Sequence, residues 1–272
     1  MLISDIQKFY TINGYVIIPK VFDSKELLNL QHTMDTVTQK AELSNTSNKS
    51  FTFEQIKSKK IVKRIYDPIS LNKTFFDTVK HMNIINIISN LIGPNIEFHH
   101  SKAHLKHAYH GSEIHWHQDF PFLPHTNFDL LTVMIAIDGT TERNGCLQVI
   151  PGSHQWPLIN YEVDNTGFRK ISQEKLLSKN DAKIVNVEVP AGGISIHHCL
   201  TYHSSLPNQS NKSRRSLIHL YRAADALQLA GRTNHNNYGM LVNGKKLNTV
   251  RLVDTEFELH RESTDSRDYK NN

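Results

Sequence analysis

Cysteine is scarce in this chain: Cys146 and Cys199 are the only two thiols in 272 residues. Their spacing fits neither a zinc finger nor a disulfide framework, so stability must come from a hydrophobic core, and a reducing cytosol suits the chain. Long apolar runs are missing too, which leaves no candidate membrane span. Charge of one sign is nowhere concentrated. The 31 Lys and Arg against 26 Asp and Glu give a formal net charge of +5 that is dispersed along the chain. Nucleic acid and membrane are therefore not expected partners. The opening Met1-Leu2-Ile3-Ser4-Asp5 has no basic segment followed by an apolar one, so no secretory leader is expected, and a cytoplasmic location is. No internal repeat and no Pro-, Gly- or Ser-rich linker divides the chain. One domain over 1–272 is expected: an N-terminal strand and helices over 1–94, a core over 95–225 and an extension over 226–272. Nothing in the sequence indicates the oligomeric state.

What is present is strand-like alternation between turn signals. Ser4–Tyr10 suits a short helix and Tyr15–Pro19 a strand. Asp23 with Glu26 makes a capping box ahead of a helix reaching about Gln39. Leu43 to Lys60 is polar and reads as an exposed loop over the pocket. Lys57, Lys59, Lys60, Lys63 and Arg64 read as a solvated basic face. Thr74 to Leu91 carries apolar residues at helical spacing and stops at Gly93-Pro94. From Ile96 onward, strands are expected at Ile96–His107, Leu130–Ile137, Gly145–Ile150, Ile184–Val189, Gly193–His203 and Ser213–Arg222. Trp156 to Asp181, with Tyr161, Phe168 and Arg169, reads as a lid-like insertion. Asn243-Gly244 suggests a hairpin outside the core, and the tail after Glu262 reads as disordered. This pattern favours a mainly β, barrel-like jelly roll with flanking N-terminal α-helices.

The run His115-Trp116-His117-Gln118-Asp119-Phe120-Pro121 is the strongest chemical signal. On a strand, His117 and Asp119 would share a face. With His203 far downstream they supply two imidazoles and one carboxylate, the facial set that holds non-haem Fe(II) and keeps positions open. Among 17 His, an H-x-D alone is a weak sign; Arg214, eleven residues after His203, strengthens it. A guanidinium fork matches the far carboxylate of a dicarboxylate co-substrate. Ser205 shares the face of His203 and offers a hydroxyl to the same carboxylate. His99, His100, His110 and His115 are expected to be structural or exposed.

The stretch Asn144-Gly145-Cys146-Leu147-Gln148-Val149-Ile150-Pro151-Gly152-Ser153-His154 resembles a signature of the phytanoyl-CoA dioxygenase-like family. So do Trp116-His117-Gln118-Asp119, His203 followed by Asn208 and Arg214-Arg215, and the opening Asn13-Gly14-Tyr15-Val16-Ile17-Ile18-Pro19. The resemblance runs from about Phe9 to Asp225. It implies a double-stranded β-helix (a cupin-like jelly roll), Fe(II) and O2, and 2-oxoglutarate as co-substrate. His117, Asp119 and His203 would be the catalytic metal ligands. Arg214 and Ser205 would bind the distal carboxylate, with His104, Lys106 and Thr132 on the co-substrate wall. His104 stands where the family often has Asn, and Met134 where it commonly has Trp.

The implied reaction hydroxylates, or oxidatively dealkylates, an aliphatic C–H with release of succinate and CO2. With Asp119 present, halogenation is not expected. Phe120, Phe122 and Trp116 suggest an apolar wall, and Arg222 a cation for a substrate carboxylate or else a salt-bridged arginine. A small polar, amino-acid-like molecule would suit them. Two rival readings are a non-catalytic β-barrel binding protein, which would have lost a ligand or Arg214, and a cupin-type metalloenzyme, which would not need Arg214 and Ser205.

Overall fold

The computed structural model describes residues 2–44, 48–158, 162–163, 169–170, 174, 176, 178, 182–230 and 236–255. The chain opens with helix α1 (Ile3–Asn13), strand β1 (Tyr15–Ile18) and helix α2 (Ser24–Leu43). Asp23 accepts from the backbone N–H of Lys25 and Glu26, and Glu26 answers the N–H of Asp23, so the capping box forms as expected. Next come β2 (Phe51–Ile56) and β3 (Lys59–Tyr66), paired antiparallel. The polar stretch expected to be a loop is thus largely a hairpin. Its alternation was masked because its residues are half-exposed on both faces. One helix was expected over Thr74–Leu91. Two form instead, α3 (Lys73–Val79) and α4 (Met82–Ile92), split at Lys80-His81.

The remaining strands are β4 (Ile96–Lys106), β5 (Ile114–His117), β6 (Leu130–Ala136), β7 (Leu147–Val149), β8 (Glu162–Val163), β9 (Arg169–Lys170), β10 (Val185–Val187), β11 (Ile194–His198), β12 (His203–Ser205), β13 (Arg214–Ala223) and β14 (Met240–Asn243). A large antiparallel sheet has the order β1-β11-β6-β13-β4-β3-β2, with β14 also on β4, and a smaller one the order β10-β7-β12-β5. The expected hairpin at Asn243-Gly244 is replaced by this β14–β4 pairing. The lid reading for 156–181 and the tail reading fall largely outside the described residues; β8 and β9 pair with each other within that insertion.

Two antiparallel sheets face to face make the jelly roll. Period-two alternation gives the large sheet two chemically different sides. Val133, Ile135, Ile194, Ile196, Leu217, Tyr221, Phe98 and Ala103 point to the helices, where Tyr10, Leu30, Met34, Phe75 and Ile88 complete the main core. The alternate residues point to the smaller sheet and build the site. Among the described residues no helix is long and apolar enough to cross a membrane.

Candidate active site

The expected strand Gly193–His203 is broken in two. Strand β11 ends at His198, the chain turns through Cys199–Tyr202, and His203 opens β12 in the other sheet. In that sheet His203 is the direct cross-strand partner of His117, and the two rings lie 4.1 Å apart. Asp119 arrives differently from the way alternation suggests. Strand β5 stops at His117, and Asp119 has helical φ/ψ (−72°, −37°) at the head of a 3-10 turn over Phe120–Phe122 that contains Pro121. Gln118 Nε2 donates to the Leu200 carbonyl at 2.6 Å, and the Phe120 N–H to that of Cys199 at 3.0 Å. This turn is therefore tied to the turn that carries His203 into place.

The donor atoms are prepared for a metal. His117 Nδ1 donates to the His115 carbonyl at 2.7 Å, and His203 Nδ1 to that of Thr201 at 2.9 Å. A carbonyl only accepts, so each Nδ1 carries the proton and each Nε2 keeps a lone pair. Burial keeps both rings below the ordinary imidazole pKa, hence neutral. Burial alone would raise the Asp119 carboxyl. His203, His197 and Lys102 outweigh it and hold the group well below the usual range. Asp119 Oδ1 lies 3.8 Å from His203 Nε2, while Oδ2 accepts the Thr132 hydroxyl at 2.8 Å. One ligand atom from each of His117, Asp119 and His203 falls within 4.8 Å of the others. Two imidazoles and a carboxylate on one side fit Fe(II) with open positions.

Thr132, expected on the co-substrate wall, instead positions the carboxylate, and His197 joins it. His197 Nε2 stands 3.4 Å from Asp119 Oδ2, an ion-pair distance without hydrogen-bond alignment. Sequence reasoning missed His197. In the structure it is the direct cross-strand partner of Thr132, a pairing that no local pattern marks. Thr132→Val is expected to lower metal affinity or activity about 10- to 100-fold, the usual cost of removing an outer partner of a ligand. An iron titration of the folded variant checks it, and wild-type affinity would remove Thr132 from the site.

Arg214 is 2% exposed. It donates to Ser216 Oγ at 3.2 Å and to the Gly145 carbonyl, and its Nε has no partner. No carboxylate contacts it among the described residues. Burial draws its pKa down to about 10. Lys106 is its cross-strand neighbour and gives Ser205 Oγ a 2.7 Å hydrogen bond. Burial, followed by Arg214, lowers Lys106 to about 7. Gly145 has φ +75°, and a Cβ there would run into the Leu206 carbonyl and meet Lys106 Cδ at 3.2 Å, so glycine lets this loop close over both cations. Two buried cations with no acid in contact among the described residues cost several kcal/mol, which an anionic ligand offsets. A 2-oxoglutarate carboxylate fits this position.

Other expectations need correction. Phe120 is fully buried against Phe128, Leu130 and Cys199, so it belongs to a core cluster rather than a pocket wall. Trp116 points away as well, packing on Ile150, Leu176 and Tyr202. Phe122 alone of the three stands by the ligands, edge-on to His117 at 6.0 Å. Leu123, Met134, Ile218 and Leu220 pack with it. Arg222 shares the inward face of Arg214, but its guanidinium is held by Glu97 and the Ala226 carbonyl, so its charge is neutralised within the fold. Arg64, expected on a solvated face, pairs in register with His104 and so faces the site.

The sequence profile of the Phytanoyl-CoA dioxygenase (PhyH) family matches residues 10–216. The chain belongs to that family. Its likeness to a probable alpha-ketoglutarate-dependent hypophosphite dioxygenase of Stutzerimonas stutzeri is 29% identity over 261 residues, covering 93% of this chain and 90% of the relative. An ectoine dioxygenase of Stutzerimonas stutzeri (strain A1501) is 23% identical, over 78% of this chain and 74% of its own. The fold is similar to that of the epimerase SnoN, solved in complex with Fe3+, alpha ketoglutarate and nogalamycin RO. The TM-score is 0.67 at 18% identity, covering 93% of this chain and 96% of SnoN. This PhyH protein is an Fe(II)- and 2-oxoglutarate-dependent dioxygenase. The non-catalytic barrel and the cupin enzyme without 2-oxoglutarate are set aside.

Proposed function

We propose that this dioxygenase hydroxylates an aliphatic C–H of a small polar molecule, or dealkylates it where that carbon adjoins a heteroatom, releasing succinate and CO2. The observation that carries the reading is Arg214, buried with no acid in contact among the described residues, on the same face of the large sheet as Thr132, whose hydroxyl holds Asp119 of the two-His, one-carboxylate group. His117, Asp119 and His203 would hold Fe(II), which supplies the oxygen-activating chemistry. Arg214, with Ser205 and Lys106, would bind the distal carboxylate of 2-oxoglutarate, and His104 would line its path. Phe122 and its apolar neighbours would exclude water and orient the target bond. The chain would work as one unit, since the N-terminal helices complete the main core and β14 completes the sheet. Its two buried free thiols suit a reducing cytosol.

A second reading rests on the near full-length relative named for hypophosphite. Hypophosphite has P–H bonds and no carbon. Oxidation to phosphite with one O2 and one 2-oxoglutarate, giving succinate, CO2 and a proton, balances in the same way. The deciding experiment is an anaerobic titration with Fe(II) and 2-oxoglutarate, followed by oxygen-dependent succinate release in a screen of small metabolites and hypophosphite. A weak visible charge-transfer band is expected in the first stage. No band, together with no 2-oxoglutarate binding by calorimetry, would end the oxygenase reading.

A further inference from the structure

Trp116 and Trp156 are the only two tryptophans of the chain, and both pack against Tyr202. Trp116 precedes the ligand His117, and Tyr202 precedes the ligand His203. His117 and His203 are direct cross-strand partners, so the residues before them come together behind the ligands, away from the pocket. Trp116 is 5% exposed and Tyr202 is fully buried. The Trp156 ring lies 5.9 Å from that of Tyr202, centre to centre, and is half-buried, so it reaches the surface. An oxidisable ring thus stands one residue from each imidazole ligand, and a third continues the stack to solvent. The packing around them is aliphatic: Ile150, Leu176, Ala182 and Ile184.

The pocket side is built differently. Phe122, Leu123, Ile218 and Leu220 resist oxidation there, and in that apolar group only the Met134 thioether is easily attacked. An oxygenase that activates oxygen before its substrate arrives must dispose of an oxidising equivalent, and the side chains nearest the metal are its own ligands. One such turnover consumes O2 and 2-oxoglutarate and releases succinate and CO2. It leaves one oxygen atom that needs two electrons and two protons to depart as water. Electron transfer falls off steeply with distance, so short steps between easily oxidised rings compete best with damage to a ligand imidazole.

We propose that Trp116, Tyr202 and Trp156 form a protective electron route from the metal centre to the surface, a function beyond substrate oxidation that rests on the dioxygenase chemistry. Each electron leaves the Trp156 indole and passes inward through Tyr202 and its neighbour Trp116, which end the round unchanged. The indole N–H proton goes to solvent, and solvent returns a proton to the departing oxygen. A reductant of the ascorbate class gives the indole back a hydrogen atom. Two such rounds balance one unproductive turnover.

The test exposes protein loaded with Fe(II) and 2-oxoglutarate to oxygen without a primary substrate, with and without ascorbate. Freeze-quench electron paramagnetic resonance reports radicals, peptide mass spectrometry locates added oxygen, and succinate counts the unproductive turnovers. The wild-type protein is expected to show an aromatic radical and to gain oxygen mainly at Trp156, and ascorbate should suppress that gain. Trp156→Phe and Tyr202→Phe are expected to keep the charge-transfer band, to lose the Trp156 radical, to gain oxygen at His117 or His203 instead, and to stop after fewer turnovers. A merely structural role for these rings would not move the site of oxidation. No radical and no added oxygen at the three rings of the wild-type protein would overturn the proposal. So would oxygen gained at Met134 or Phe122 in their place, or variants that last as many turnovers as wild type with both histidines intact. If a variant does not fold, the wild-type site of oxygen addition and its response to ascorbate decide in the same way. If the band never forms in the wild-type protein, the dioxygenase chemistry has failed first and takes the proposal with it.

Discussion

Replacing His117, Asp119 or His203 by Ala is expected to abolish oxygen-dependent succinate formation in each case. Loss of an outer partner of a metal ligand already costs about 10- to 100-fold, so loss of a ligand itself should exceed that range. The protein should stay folded. The three side chains project from the inward face, whereas the main core lies on the other side of the large sheet. Two imidazoles with lone pairs fixed at Nε2 and a carboxylate held ionised are worth little without a metal between them. Succinate release, iron content and circular dichroism of the three variants check this. An Asp119→Ala variant active without added halide or formate would show the carboxylate to be misassigned.

Arg214→Lys should raise the 2-oxoglutarate requirement about thirty-fold or more, because breaking a buried charge pair costs about 2–5 kcal/mol. An ammonium cannot reproduce the planar fork. Arg215→Lys should leave the requirement nearly unchanged. Its guanidinium lies on the opposite face, on both oxygens of Asp138 and on Asp35, so its loss is a matter of stability. The 2-oxoglutarate dependence of succinate release distinguishes them, and a large defect in Arg215→Lys alone would invert the assignment. Lys106 adds a pH dependence. It must be protonated to help hold a carboxylate, and its pKa is drawn down from 10.5 to about 7. Above pH 7 binding must first take up a proton, so affinity should fall as pH rises, by up to about ten-fold per unit. The stability of the unliganded protein moves the other way in that window. The unfolded chain keeps this proton up to 10.5, so unfolding becomes less favourable as pH rises from about 7.

Much of this was legible in the residues. The capping box at Asp23, the long alternating strand from Ile96 and the arginine strand from Arg214 follow from local pattern, and the structure contains all three. The hairpin β2–β3 was not legible. Its strands lie at the end of the large sheet, with few fully buried residues to set an alternation. Nor was the break after His198, because an apolar run reads the same whether it stays in one sheet or crosses to the other. Phe120 and Trp116 looked like pocket walls because they adjoin ligands in sequence, yet both pack into cores on other sides.

By itself the sequence determined which groups exist to bind metal and dicarboxylate, since ligand chemistry is carried by side-chain type and the motifs keep their order. It also determined that strands dominate, since alternation is a local property of the backbone. Only the tertiary structure decided which groups meet. Cross-strand register set His203 opposite His117 and Glu97 opposite Arg222, and the turn after β5 brought Asp119 to Thr132 and His197. Register also turned Arg64 and Lys102 inward beside His104. Those pairings join residues from 13 to 125 positions apart. No local pattern encodes them, because register is fixed by how two whole sheets bury their faces.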